Sequence, residues 1–244
     1  MKKKLFLPHN FEKQRKMAKK KSTQADNLQE LESALTRTEQ FIEDNQKTIL
    51  YVIAAFVIVI GGFLGFNKFY LQQKENEAES QMFMAVSYFD QDMFDLAVNG
   101  DGNYLGLLDI IDNYGITKKA NLAKYYAGIS YLYLGEYENA INYLNKFKTK
   151  DLLLAPITEG SKGDAYLELG NTDNALKQYK KAIALPENEL TTPVFMMKAA
   201  NLLESMGKLQ DALAMYESIK AKYPYSEEGV NVDRYIARIK IKLG

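Results

Sequence analysis

The chain has 244 residues, with 31 basic and 31 acidic side chains, one histidine and no cysteine. No disulfide, thiolate nucleophile or cysteine-based metal site is available, and His9 alone completes neither a histidine-rich metal site nor a Ser-His-Asp triad. The zero net charge hides an asymmetry: residues 1–47 carry eleven Lys or Arg against seven Asp or Glu, whereas residues 67–244 carry twenty against twenty-four.

Residues 1–21, MKKKLFLPHNFEKQRKMAKKK, are basic and show no sustained apolar period, so a disordered arm is expected. Such an arm suits a topology determinant that touches anionic headgroups, or a segment that contacts RNA or a ribosome without sequence specificity. Over residues 22–47, Leu28, Leu31, Leu35 and Ile42 recur at helical spacing, which predicts an amphipathic juxtamembrane helix.

Ile49 to Phe66, ILYVIAAFVIVIGGFLGF, is eighteen residues without a charge. As a helix it would be about 27 Å long, close to the hydrocarbon thickness of a bilayer. A transmembrane helix is therefore expected over residues 48–67. A buried core helix of a soluble domain would be shorter or carry polar residues. A cleaved signal would start nearer the N-terminus, have a shorter apolar run and end in a small-residue cleavage site. Gly61, Gly62 and Gly65 give the segment one small face on which another helix could approach. By the excess of Lys and Arg before it, the N-terminus is expected in the cytoplasm. Phe69 and Tyr70 then sit where interfacial aromatics anchor a span, and residues 68–120 read as a helical stalk and a degenerate helical hairpin. Within it, Met82, Val86, Phe89, Leu107, Leu108 and Ile111 can face a core, and the AVNGDGN turn lacks the acidic alternation of a calcium loop.

From residue 121 to 224 the chain repeats itself. YLYLGEYENAINYL, YLELGNTDNALKQY and LLESMGKLQDALAMY share a turn glycine, Gly135, Gly170 and Gly207, followed five residues later by Ala140, Ala175 and Ala212. The spacings of 35 and 37 residues lie close to the tetratricopeptide period of about 34. Gly128, Gly163 and Ala200 take the small site of each first helix, and Leu144, Tyr179 and Tyr216 follow the alanine by four. The motif's tryptophan is replaced by Lys124, Glu159 and Met196. Three repeats are expected, at about 121–155, 156–192 and 193–224, then a capping helix over 225–244. A lone hairpin cannot bury its apolar side, so such repeats stack. The fold class is thus all-α, a single N-terminal transmembrane helix followed by a helical-hairpin solenoid.

No phosphate loop, H-E-x-x-H motif or nucleophile elbow is present, so neither an enzyme nor a cofactor or metal site is expected. Most tyrosines at repeat positions are expected in the core. By repeat register a groove along the first helices should be lined by Tyr125, Ile129 and Tyr133, then Asp164 and Glu168, then Asn201 and Glu204. This predicts a surface aromatic at one end and acidic at the other, suited to a peptide with basic and apolar residues; a solvated acidic face without a ligand is the alternative.

The order of parts resembles the YfgM-type tetratricopeptide proteins of bacterial inner membranes, ancillary to the Sec translocon, including longer-tailed relatives in the Bacteroidota. The resemblance is carried by FIEDNQKTI before the apolar run, the run with its late glycines, NKFY after it and the repeats, with NLAKYYAGISYLYLGEYENAINYL closest to the Bacteroidota type. It covers roughly residues 39–244, and the basic arm departs from the short tail of the better-known members. It implies a single-pass inner-membrane protein with periplasmic repeats and no catalysis or specific nucleic acid. Its partners would be translocon subunits, exported clients and periplasmic chaperones. An envelope scaffold for a cell-division or outer-membrane assembly complex is the alternative.

Overall fold

A computed structural model describes residues 9–244, with side chains from Thr36 onward. Two compact units meet in sequence at residues 66 and 67. The first consists of α1, His9–Gly65. This one helix takes in both the predicted juxtamembrane helix and most of the apolar run. It also includes residues 9–21, for which a disordered arm was expected. From His9 to Ile60 the sequence has neither proline nor glycine and is rich in Ala, Leu, Lys, Glu and Gln, so nothing interrupts the hydrogen-bond ladder. Residues 1–8 of the arm lie outside the described residues, and the side chains of Leu28, Leu31 and Leu35 outside the described side chains.

One described helical stretch, within Thr36–Asp90, is long and apolar enough to cross a membrane, and none of its apolar window is buried in this chain. Phe56, Ile58 and Val59 are each about two-thirds exposed or more, at 65, 73 and 69%.

A π-helical turn, Phe66–Leu71, spans the boundary in sequence, and the second unit continues into α2, Gln72–Asp90. The predicted degenerate hairpin is three helices: α2 is followed by short α3, Phe94–Asn99, and α4, Leu107–Asn113. The break lies at AVNGDGN, where Gly100 and Gly102 hold φ of 77° and 87°. Asp101 Oδ1 accepts the Asn103 and Tyr104 amides at 2.9 and 2.8 Å, and its Oδ2 accepts the Tyr88 hydroxyl at 2.9 Å. The loop is a turn whose carboxylate is engaged by the chain itself. Met82, Leu107 and Ile110 are buried, with Val86, Phe89 and Ile111 packed around them.

Three antiparallel hairpins follow: α5, Lys118–Tyr133, with α6, Tyr137–Lys146; α7, Leu154–Glu168, with α8, Thr172–Ala184; α9, Thr192–Ser205, with α10, Leu209–Lys222. Each turn glycine, Gly135, Gly170 and Gly207, takes φ of 74–78°, the left-handed conformation that closes a helix C-terminus. Ala140, Ala175 and Ala212 are fully buried. A methyl group on Gly128 would come within 2.6 Å of Leu144, and one on Gly163 within 2.5 Å of the Tyr179 ring. The small sites are where the paired helices approach most closely. The predicted capping helix is two pieces, α11, Glu227–Asn231, and α12, Asp233–Leu243. Val232, Ile236 and Ile239 close the core of the last repeat. The described residues contain no strand beyond one isolated bridge, Gly100 to Leu105.

Candidate functional site

Asp164, on α7, sits one helical turn beyond Gly160, where the Phe195 ring of α9 packs. That crossing brings Lys198 to Asp164, with Nζ 2.7 Å from both carboxylate oxygens, and the Tyr179 hydroxyl of α8 donates to Asp164 at 2.7 Å. Burial first, then the Asp164 charge and hydrogen bond, push the Tyr179 phenol far above its ordinary pKa, so it remains a donor. These residues, with Leu167, Asn201, Leu202 and Ser205, line a cavity of about 360 Å³.

A second concavity of about 370 Å³ shares Asn201 and Ser205 with the first and adds Glu204, Arg238 and Lys242. Glu204 accepts Lys242 at 2.8 Å, Arg238 at 2.5 Å and the Tyr216 hydroxyl at 3.2 Å; that hydroxyl also donates to Asn201 Oδ1 at 2.7 Å. Burial alone would raise the Glu204 pKa, but the hydrogen bonds from Arg238, Lys242 and Tyr216 outweigh it and hold the carboxyl down at about 2. The cations come from α12, whose Tyr235 stacks on Tyr216 at 5.4 Å with Arg238 over its face at 4.8 Å.

The structure places Asp164, Asn201 and Glu204 among the residues that line the two adjoining concavities; Tyr125, Ile129, Tyr133 and Glu168 do not line them. Ile129 is only 8% exposed and belongs to the interior, a correction to its expected place in a groove. Tyr125 is half-buried and packs its ring 5.4 Å from Phe147. Tyr133 is exposed but stacks on Phe94 at 4.7 Å, and Glu168 lies 3.5 Å from the Tyr137 hydroxyl. The expected acidic end is also corrected: Asp164 is paired with Lys198, and Glu204 with both Arg238 and Lys242, so the charge at these two carboxylates is compensated. Sequence reasoning passed over these three cations. Lys198 stands three residues before Asn201 on the same helix, which could have been read, whereas Arg238 and Lys242 reach the site only through the docking of α12.

Glu159, at a position where the motif expects tryptophan, forms ion pairs with Lys162 and Lys181 at 2.8 and 2.9 Å, and Lys162 also donates to Asn145 Oδ1 at 3.2 Å. Lys162 is buried, so this pairing ties α6, α7 and α8 together, at the wall of a concavity of about 270 Å³. Among the described residues no group of three or more His, Cys, Asp or Glu is placed to hold a metal.

Family models for the tetratricopeptide repeat match residues 122–151, 160–189 and 195–226, one hairpin each. The array is a TPR-like helical solenoid. A crystal structure of kinesin light chain nearly identical TPR-like repeats from Podosopora anserina superposes with a TM-score of 0.53 at 16% identity, covering 68% of this chain and 85% of that one. At that identity the likeness concerns the fold alone. Comparison with curated proteins gives no match. A tetratricopeptide solenoid is a protein-interaction module, and its partners are proteins.

Proposed function

We propose that the chain is a single-pass membrane protein that uses its tetratricopeptide solenoid to hold polypeptides at the membrane surface, as an ancillary part of the Sec translocon that passes exported proteins to periplasmic chaperones. The observation that carries the binding part is the pair of adjoining concavities on α7, α9 and α12. They present Asp164, Lys198, Asn201, Glu204 and Arg238 beside the apolar Leu167 and Leu202. Such a face offers donors and acceptors to a peptide backbone without a strong net field. The translocon and chaperones enter through the resemblance of FIEDNQKTI, the apolar run and NKFY, and the basic residues before the run favour a cytoplasmic N-terminus.

Recovery of the intact protein from gently solubilised membranes should bring translocon subunits with it. A preparation free of them sinks the translocon reading. Protease access to the repeats in spheroplasts tests the orientation, and protection of the repeats sinks the periplasmic reading. The second reading, an envelope scaffold, predicts partners that persist when translocation is blocked.

A further inference from the structure

The loops that join one hairpin to the next lie along one edge of the solenoid, fastened loop to loop. Glu75 of α2 accepts the Lys118 and Lys119 amides at 2.8 and 3.0 Å, which fixes the start of α5 beside the start of α2. Asn121 exchanges two hydrogen bonds with the backbone of Lys148, at 2.7 and 3.1 Å. Asn188 donates to the Leu152 carbonyl at 3.3 Å, and Lys222 bridges to Glu187 at 3.1 Å. The helices α2 and α5 run in the same sense, because Glu75 meets the start of α5 while Phe89, further along α2, packs its ring 4.9 Å from that of Tyr126, further along α5. The residues just ahead of α5 therefore lie toward Asn67, where the chain enters the unit directly after its apolar run.

Apolar side chains project from this edge at the repeat period. Ile116, Leu152 and Leu190 are 59, 60 and 70% exposed, and Tyr225 is almost free at 95%. The charge along the edge is uneven. Nearest the entry point stand the exposed Lys118, Lys148 and Lys150 with one carboxylate, Asp151, among them; farther away stand Glu187, Glu189, Glu227 and Glu228 with Lys222. The headgroup zone on each side of a bilayer is roughly 5–8 Å deep, and this edge lies at the end of the unit where the chain enters, at Asn67.

We propose that the near part of this edge, Ile116, Lys118, Lys148, Lys150, Leu152 and Leu153, docks on the anionic headgroup surface of the membrane beside the point where the chain leaves the bilayer. The proposal rests on the anchored reading above. Apolar loop tips beside lysines are the composition that binds an anionic interface, by partial insertion and by screened attraction. Docking would fix the height of the solenoid over the membrane, with the acidic far end lifted away.

Because the chain has no cysteine, a single introduced thiol takes a fluorophore uniquely. The test uses the full chain in vesicles of phosphatidylcholine with or without phosphatidylglycerol, labelled at Leu152→Cys or, on the opposite edge, at Lys208→Cys. With anionic lipid the label at 152 should shift to the blue and be quenched by nitroxide lipid several-fold more than the label at 208. The combined Lys118→Gln, Lys148→Gln and Lys150→Gln substitutions should remove most of that difference. Equal quenching at the two positions in a chain that floats with the vesicles overturns docking and leaves anchoring intact. Failure to float overturns both, and a difference unmoved by the triple substitution overturns the assignment to anionic headgroups.

Discussion

Substituting Gly160→Ala tests whether the α7–α9 crossing is what builds the candidate site. A methyl group there would lie 1.8 Å from Cε1 and 2.2 Å from Cζ of Phe195. The ring would have to withdraw by about 1.7 Å to restore ordinary carbon contact. Phe195 is only 6% exposed and packed within the core of the second and third repeats, so it has no free direction in which to move. Overpacking of this kind costs about 1–3 kcal/mol, while replacing glycine by alanine inside a helix gains about 1 kcal/mol. With a clash this deep the cost lies at the upper end, for a net loss of about 1–2 kcal/mol. In a solenoid, stability is a sum of repeat terms and interface terms, so the loss should fall on the interface between the second and third repeats. Urea denaturation of the full chain in detergent, followed by circular dichroism, reads the total. Hydrogen exchange should show faster exchange from residue 192 onward and little change in α5 and α6. Phe195→Leu in the same background should recover part of the loss, giving a non-zero coupling in a double-mutant cycle. If Gly160→Ala instead stabilises the protein by about 1 kcal/mol, as an unobstructed helical glycine would, the crossing does not depend on this contact and the account of the site is wrong.

The Glu204 carboxyl has its pKa depressed by folding to about 2, so its contribution is complete above the unfolded value and is lost as pH falls from about 4.5 toward 2. Because Arg238 and Lys242 are about half exposed, the contribution is discounted to about 2 kcal/mol; thermal melts against pH should show the loss, and Glu204→Gln should flatten it. Tyr179→Phe removes a donor to Asp164 while Lys198 remains, and should cost about 1–2 kcal/mol in denaturant melts. Glu75→Ala takes the acceptor from two amides at the start of α5; a loss of about 1 kcal/mol is expected, with faster hydrogen exchange at Lys118 and Lys119 while Thr117 still holds the Ala120 amide. Asp101→Ala should loosen the turn between α3 and α4, and calcium should leave the melting temperature of the parent protein unchanged, since Asp101 is already engaged by two amides and Tyr88.

The repeats were legible because their signals are local and periodic. A turn glycine must take positive φ and a helix crossing must have a small residue, so Gly135 and Gly128 announce themselves without any knowledge of partners. The apolar run was legible for the same reason. What register could not supply was depth: Ile129 and Tyr125 lie on the first helix of their repeat, yet Ile129 is buried and Tyr125 is half-covered by Phe147. Register also could not supply residues brought in by a later element. Arg238 and Lys242 are 34 and 38 positions from Glu204, and the docking of α12 through Ile236, Ile239 and the stacking of Tyr235 on Tyr216 brings them together. The split of the degenerate hairpin into α2, α3 and α4 was hidden because Asn and Gly at a turn mark a break without giving the direction in which the chain resumes.

Charge compensation changes what the groove can bind. An uncompensated acidic face would draw basic segments from a distance and let go of them steeply with salt. With Lys198 on Asp164 and with Arg238 and Lys242 on Glu204, there is little field to steer by, and selectivity must come from close contacts to Asn201, Ser205 and the apolar Leu167 and Leu202. Such contacts give modest affinity to many sequences, which suits a site that must release what it holds. On the proposed anchored reading the membrane supplies the remainder. A solenoid tethered beside an emerging chain meets it at a high effective concentration, so a weak groove suffices where a freely diffusing one would not. On that reading the anchor and the compensated groove are parts of one design. Clients should bind with little dependence on ionic strength, and cutting the solenoid from its anchor should abolish capture at physiological concentration without altering the groove.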